Sequence, residues 1–217
     1  RVVINDVNND LFSTYTQIKS NVEPVISKLL EWDKEYNPEQ PDEERRKEFY
    51  YSQRDRFISI DKDSGDEDLV ERAALLIFLN RTCFNGLYRV NRKGHFNVPI
   101  GSYKRPKICD QDNLRAVSRA LQNVEILCVD FEATLNHVVG KAFYYFDPPY
   151  KPLNATSSFN SYSADVFNDS EQITLRDFCR KLTQLGHYWL LSNSATDDNF
   201  FLDLYADYED KIEFVKA

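Results

Sequence analysis

Phe143-Tyr144-Tyr145-Phe146-Asp147-Pro148-Pro149-Tyr150 is the stretch that decides how the chain is read. Four consecutive aromatic residues form a short apolar run, the pattern of a strand in an α/β fold. Pro148 and Pro149 then fix φ and remove two backbone donors, so the strand closes at Asp147. In open parallel sheets ligands bind at the carboxyl ends of strands, where this segment stands. Asp147 offers a carboxylate, Pro148 a main-chain carbonyl on a stiffened loop, and Tyr150 a flat face. Two acceptors beside a stacking surface suit an exocyclic amine on a planar base. A proline turn that merely ends a strand accounts for the same four residues, so their surroundings must decide.

Working outward, Arg1 to Asn5 reads as a buried strand closed by Asp6, and Val124 to Val129 as another closed by Asp130-Phe131. His187 to Leu191 and Ile212 to Val215 complete the set of strands. Helices fall between them. Asn8 or Asn9 caps one with Leu11, Tyr15, Ile18 and Val22 on one face; Asp110 caps another bearing Leu114, Val117 and Leu121. Asp169, followed three residues later by Gln172, caps a helix carrying Leu175, Phe178, Cys179 and Leu182 that stops at Gly186. A last helix lies around Phe200 to Tyr205. Strands alternating with helices imply an α/β fold with a doubly wound, mostly parallel sheet. Strand ends in such a sheet converge on one crevice. Asp6 there could accept from ribose hydroxyls, and Asp130 from an adenine amino group with Phe131 against the ring. Taken alone, Asp6 is more simply a helix cap and Asp130 a weak signal.

Residues 22–109 interrupt the alternation and read as an inserted lobe. Residues 23–60 are helical but polar, broken by Pro38 and Pro41, and 61–68 form an acidic loop. Ser64 with Glu67 resembles a capping box opening a helix with Leu69, Ala73 and Ile77. The period then shortens: Tyr88 and Val90, then Phe96 and Val98, alternate with polar residues around Asn91-Arg92-Lys93-Gly94, a hairpin signal. Charge singles out the same place. The chain carries a net charge of -8, yet between Arg81 and Lys107 there are seven basic residues and no acidic one. A basic island in an acidic protein indicates either a localised polyanion contact or a solvated loop. A hairpin fits the DNA major groove, where Arg pairs bidentately with guanine. Arg89, Arg92 and Lys93 are its candidates, with Asn85 at its base. The stretch Lys151 to Tyr162 reads as a lid that orders on binding.

Composition sets outer limits. With 217 residues, 42% hydrophobic and 29% charged, and only 6 Gly and 8 Pro, the chain is neither low-complexity nor globally disordered. No apolar run is long enough for a membrane span, and no signal peptide opens the chain, so a cytoplasmic, nucleoid-associated protein is expected. Cys83, Cys109, Cys128 and Cys179 lack zinc-ligand spacing and read as reduced core thiols; no metal is expected. The absence of Met and the opening inside an apolar run suggest a segment of a longer protein.

These motifs together resemble the Dam-type (alpha-group, D12 class) DNA adenine-N6 methyltransferases, in which the recognition lobe lies between the cofactor half and the DPPY half. The resemblance covers Ile4 to Asn8, Asn80 to Tyr103, Val129 to Phe131, Phe146 to Tyr150, Thr156 to Phe159 and Leu191 to Ser194. The block Asn85-Gly86-Leu87, Arg89, Asn91, Gly94, Phe96 to Pro99, Gly101 and Tyr103 is similar to that of the GATC-modifying branch. It implies a Rossmann-like methyltransferase domain over 1–21 and 110–217, a target-recognition lobe over 22–109, and truncation at both ends, with a glycine-rich loop expected before Arg1. It implies S-adenosylmethionine as cofactor, held by Asp6, Asp130 and Phe131, with Asp147 nearby. Asp147, Pro148, Pro149 and Tyr150 would be catalytic. Asn85, Leu87, Arg89, Arg92, Lys93, Pro99 and Tyr103 would contact double-stranded DNA. The expected activity is methylation of adenine in GATC after base flipping, by a monomer or weak dimer with a cognate restriction endonuclease as a candidate partner. A cytosine-N4 methyltransferase and a catalytically inactive DNA-binding module of the same fold are the alternatives.

Overall fold

The computed structural model describes residues 1–40, 42–151 and 167–216. It divides into two compact units, Arg1–Asp130 and the residues from Phe131 onward.

In the first unit β1 (Val2–Asn5) pairs in parallel with β2 (Val124–Leu127), in the register Val2 to Val124 through Asn5 to Leu127. Between them lie α1 (Asn9–Ser20), α2 (Val22–Tyr36), α3 (Glu43–Ser59), α4 (Asp66–Thr82), a 3₁₀ turn at Phe84–Gly86 and α5 (Gln111–Leu121). Each start has a local cause. Asn8 accepts from the Asp10 amide, Asp42 from Glu44 and Arg45, and Asp110 from Asn113, satisfying amides that an α-helix leaves unpaired. α4 buries Val70, Ala73, Ala74, Leu75, Leu76, Phe78 and Leu79, too many for one face, as expected of a central helix. α1, α2 and α3 all pack on it. Trp32, Tyr36 and Phe49 set their rings edge-on to Phe78, an arrangement that adds to area burial. The helices of 22–109 share one continuous core with Ile18 of α1 and with Leu114 and Leu121 of α5.

The hairpin forms around a single bridge pair. Val90 bridges Phe96, the Asn91 amide donates to the His95 carbonyl at 2.9 Å, and Gly94 takes the left-handed φ of 75° that the turn needs. A second bridge joins Cys83 to Ile100, and there Gly101 runs against backbone. A Cβ at Gly101 would lie 2.6 Å from the Cys83 carbonyl oxygen. Gly101→Ala is therefore expected to lower stability by about 1–3 kcal/mol, read from denaturant unfolding, because the obstacle is main chain and cannot rotate away.

The second unit holds β3 (Phe143–Phe146) parallel to β4 (Tyr188–Leu191), with α6 (Asp169–Gln184) and α7 (Phe200–Leu204). Tyr144 and Phe146 turn toward Phe178 of α6, each 6.0 Å away between ring centres, beside buried Leu175, Cys179 and Leu182. Gly186, at φ 78°, ends α6, and the chain returns into β4.

Several expectations need correction. Within the second unit Tyr144 and Phe146 of β3 are half-buried, whereas Phe143, Tyr145, Tyr188 and Leu190 are exposed. Each unit contains a two-stranded parallel sheet, a coarser result than the single doubly wound sheet expected. Ile212 to Val215 forms no strand. The box at Ser64 does not form: Gly65 caps α4, and the Ser64 hydroxyl donates to the Asp61 carbonyl. The cap of α6 is Asn168 and not Asp169, because Asn168 reaches the Ser170 and Glu171 amides. The four cysteines are free thiols; Cys128 is only half-buried. Pro41, the lid at Lys151 to Tyr162 (Lys151 apart) and the Thr156 to Phe159 loop lie outside the described residues.

Candidate functional site

Asp6 and Asp130 leave the carboxyl ends of neighbouring parallel strands, and both are exposed. Their alignment comes from a residue the sequence did not single out. The Asn5 side-chain amide donates to the Val129 carbonyl at 3.0 Å, and its oxygen accepts from the Val129 amide at 3.1 Å. One side chain thus replaces a ladder partner and holds the segment leading to Asp130 beside β1. Asp6 continues the pairing through its amide to the Leu127 carbonyl, and its carboxylate accepts from the Asn8 amide at 2.8 Å. Phe131 belongs to the second unit, where its half-buried ring packs against Phe178 at 5.7 Å and Phe167 at 6.4 Å.

In the second unit Asp147 follows β3 directly and is exposed, as is Tyr150, 51% accessible. The Ser192 hydroxyl, at the end of the adjacent β4, lies 3.0 Å from Asp147 Oδ1 and donates to it. The Ser192 amide donates to the Phe146 carbonyl at 3.0 Å. Further along, the Gln172 side chain donates to the Pro149 carbonyl at 3.3 Å and accepts from Asn193 at 3.3 Å. Gln172 is only 1% exposed, so these are interior bonds worth more than their surface equivalents. Asn193 accepts from the Lys151 amide, and the Ser194 hydroxyl donates to the Lys151 carbonyl. The four residues Asp147 to Tyr150 are therefore fixed at both ends by β4 and α6, leaving the carboxylate and the Tyr150 ring outward.

The basic hairpin presents Arg89, Arg92, Lys93 and Pro99 on the surface of the first unit. Beneath it Phe96 and Val98 are buried, and the Tyr50 hydroxyl anchors the Val98 carbonyl at 2.9 Å. Asn85 is exposed with a left-handed φ of 53°, next to exposed Phe84 and Leu87. Asn80 holds that turn through the Gly86 carbonyl. Tyr103 is exposed and lines a cavity of about 430 Å³ with Tyr36, Arg46 and Lys104; Arg46 donates to the Tyr103 carbonyl at 2.9 Å. Arg89 is preoriented by a residue the sequence left unassigned: its Nε donates to Asn97 Oδ1 at 2.8 Å and Nη2 to the Asn97 carbonyl at 3.2 Å. That engages one edge of the guanidinium and turns the other edge outward. The first unit thus gathers Asp6 with Asp130, and all seven hairpin-block candidates; the second gathers Asp147 to Tyr150.

Among the described residues no group of His, Cys, Asp and Glu has the makings of a metal site, and no helix is long and apolar enough to cross a membrane.

The family model for D12 class N6 adenine-specific DNA methyltransferases matches residues 1–216. The chain is 51% identical over 211 residues to the type II methyltransferase M.MjaIII of Methanocaldococcus jannaschii, covering 97% of this chain and 71% of that protein. It is 40% identical over 222 residues to the type II methyltransferase M1.LlaDCHI of Lactococcus lactis subsp. cremoris, covering 100% and 73%. It is 33% identical over 197 residues to a DNA adenine methylase of Vibrio cholerae, covering 90% and 66%. A carboxylate-Pro-Pro-Tyr loop braced at a strand end, a strand-end acid pair and an exposed basic hairpin are thus carried by a chain matched almost throughout, and the chain belongs to the D12 class of N6 adenine-specific DNA methyltransferases.

Proposed function

We propose that this chain methylates adenine N6 within a short palindrome of the GATC type in double-stranded DNA, after flipping the base out of the helix. The observation that carries this reading is the braced loop Asp147 to Tyr150, whose carboxylate and ring stand exposed at the end of β3. The lone pair of an adenine N6 is delocalised into the ring, so the nitrogen is a poor nucleophile. Asp147 and the Pro148 carbonyl accept its two N–H bonds and bias it toward a tetrahedral geometry, which localises the lone pair. The Ser192 hydroxyl holds Asp147 Oδ1 and aims Oδ2 at the amine. Tyr150 stacks on the extruded base. Stacking of about 1–3 kcal/mol offsets part of an extrusion cost of a few kcal/mol.

S-adenosylmethionine, the methyl donor implied by the family, supplies the electrophilic methyl group when bound. The donor set fits it. Within the first unit Asp6 and Asp130 are exposed carboxylates at adjacent strand ends, suited to ribose hydroxyls and an adenine amine, and the reading assigns Phe131 to the adenine ring. The alternation of strands and helices along 1–21 and 110–217 supports a doubly wound Rossmann-like sheet there, with 22–109 as the recognition lobe.

In DNA, Arg89 reads a guanine through its outward edge, Leu87 and Pro99 touch neighbouring bases, and Asn85 fills the gap left by flipping. Arg92, Lys93 and Tyr103 meet the backbone. Arg89→Ala is expected to reduce discrimination at one base pair by about 1–3 kcal/mol while sparing other positions, measured as relative methylation of variant duplexes. A uniform loss on every sequence would make Arg89 a phosphate contact. To test the whole reading, the full-length protein and labelled S-adenosylmethionine are incubated with plasmid, the modified base is identified, and its positions are mapped. N6-methyladenine in GATC supports the reading. N4-methylcytosine, another site, or specific binding without methylation overturns the corresponding part. The type II names of two relatives make a partner endonuclease a further candidate.

A further inference from the structure

Asp10 and Arg72 have no place in the proposed chemistry, yet they form a buried charged pair in the first unit. Asp10 is 3% exposed and Arg72 6%. Arg72 Nη2 donates to Asp10 Oδ1 at 2.7 Å, its other terminal nitrogen donates to the Phe57 and Ile60 carbonyls, and its guanidinium lies over the Phe57 ring at 4.1 Å. The second carboxylate oxygen, Oδ2, accepts from the Tyr88 hydroxyl at 2.8 Å. Tyr88 sits between Leu87 and Arg89, at the root of the base-reading hairpin. Its ring packs edge-on to buried Phe96, which packs in turn on Phe57. Asp10 is also the end of a short chain of hydrogen bonds from the strand end: Asp6 Oδ1 accepts from the Asn8 amide at 2.8 Å, and Asn8 Oδ1 accepts from the Asp10 amide at 2.9 Å. Two hydrogen bonds over a four-residue spacing thus connect the acid assigned to the cofactor ribose with the carboxylate that holds the hairpin.

Resting on the function proposed above, we infer that Tyr88 is a positioning residue for base recognition, and that the path Asp6, Asn8, Asp10, Tyr88 couples cofactor occupancy to the setting of the hairpin. The pair Asp10–Arg72 is the rigid element of this path, because a buried carboxylate held by a guanidinium has little freedom to rotate. The Tyr88 hydroxyl is its contact with the hairpin. Cofactor bound at Asp6 then favours the hairpin position that reads DNA, and specific DNA favours cofactor by the same factor, as linkage requires.

The test uses full-length protein, S-adenosylhomocysteine as the unreactive cofactor probe, and duplexes with the site recovered by binding selection from a random-sequence pool or a one-base-pair variant of it. Affinity for each duplex is measured with and without the probe. For wild type the probe is expected to tighten specific binding by about 5–150-fold, the usual range of such coupling. In Tyr88→Phe both the coupling and the preference for the cognate duplex should fall by about tenfold, within that range. Asn8→Ala, which removes the link to the Asp10 amide and the Asn8 contact with Tyr88 but keeps the Asp10–Tyr88 bond, should lose coupling and retain more discrimination than Tyr88→Phe. Unchanged coupling and discrimination in Tyr88→Phe overturn the inference, as does an equal loss of affinity on every duplex. Wild-type protein that discriminates but does not methylate removes the enzymatic reading alone, since the binding data still decide the role of Tyr88. Wild-type protein that does not discriminate removes both.

Discussion

Asp147→Ala should reduce kcat for DNA methylation by about 10³-fold, near 4 kcal/mol of transition-state stabilisation, with DNA affinity changed by less than about threefold. The asymmetry follows from geometry. Asp147 projects from the strand end of the second unit, and its one intramolecular bond among the described residues is from Ser192. Removing the side chain leaves the main-chain bonds at Phe146 and Pro149 in place, so the loop keeps its course. Asp147→Asn is a sharper probe. The Asn oxygen can still accept from Ser192, which turns the side-chain NH2 toward the substrate amine and sets donor against donor. Asn should therefore be nearly as damaging as Ala. Activity above about a tenth of wild type in either variant, measured by labelled methyl transfer under saturating DNA, would remove Asp147 from the chemistry.

The second large effect concerns stability. Asp10→Ala leaves the Arg72 guanidinium charged and buried with its carboxylate partner gone, and breaking one side of such a pair typically costs about 3–5 kcal/mol. The first unit should melt about 10 °C lower or more, read by thermal unfolding. The pair also sets an acid limit. Burial alone opposes ionisation of Asp10, but hydrogen bonds from Arg72 and Tyr88, with the charges of Arg72 and Lys62, outweigh it and hold the carboxyl below its ordinary value. A depressed acid contributes stability that is complete above the unfolded value near 4 and is lost as pH falls through the lower folded value. Wild type should therefore lose stability below about pH 4 more steeply than Asp10→Asn. Parallel acid profiles would show that Asp10 is not the group concerned.

How much of this was legible depends on the range of the interaction. The short-range signals were reliable: the Asn8 and Asp110 caps, the stop at Gly186 and the Gly94 turn each rest on one residue's backbone preference. Asp147 and Tyr150 were visible because two prolines isolate them. Errors arose where one local pattern serves two structures. Gln172 sits at capping-box spacing from Asp169, but the helix starts one residue earlier, and the side chain turns inward to brace the Pro149 carbonyl. The exposed edges of β3 and β4 look like interior strands because aromatic composition does not state how many faces are covered. Asn5, Asn97 and Ser192 stood inside segments of the family resemblance without a role of their own, and the pair Asp10–Arg72 left no local trace. Their partners are distant in sequence or unremarkable in type, and only the fold turns a common polar residue into a support.

The parallel pairing of Val2 with Val124 has a consequence for biosynthesis. β1 emerges from the ribosome long before β2 exists, and the intervening chain closes the loop only by building the helical body around Phe78. During translation that body must fold while β1 still lacks its β2 partner. The nascent chain is then most exposed to misassociation until Leu127 clears the exit tunnel, so a translational pause placed before that point would lower the yield of native protein, and one placed after it would not.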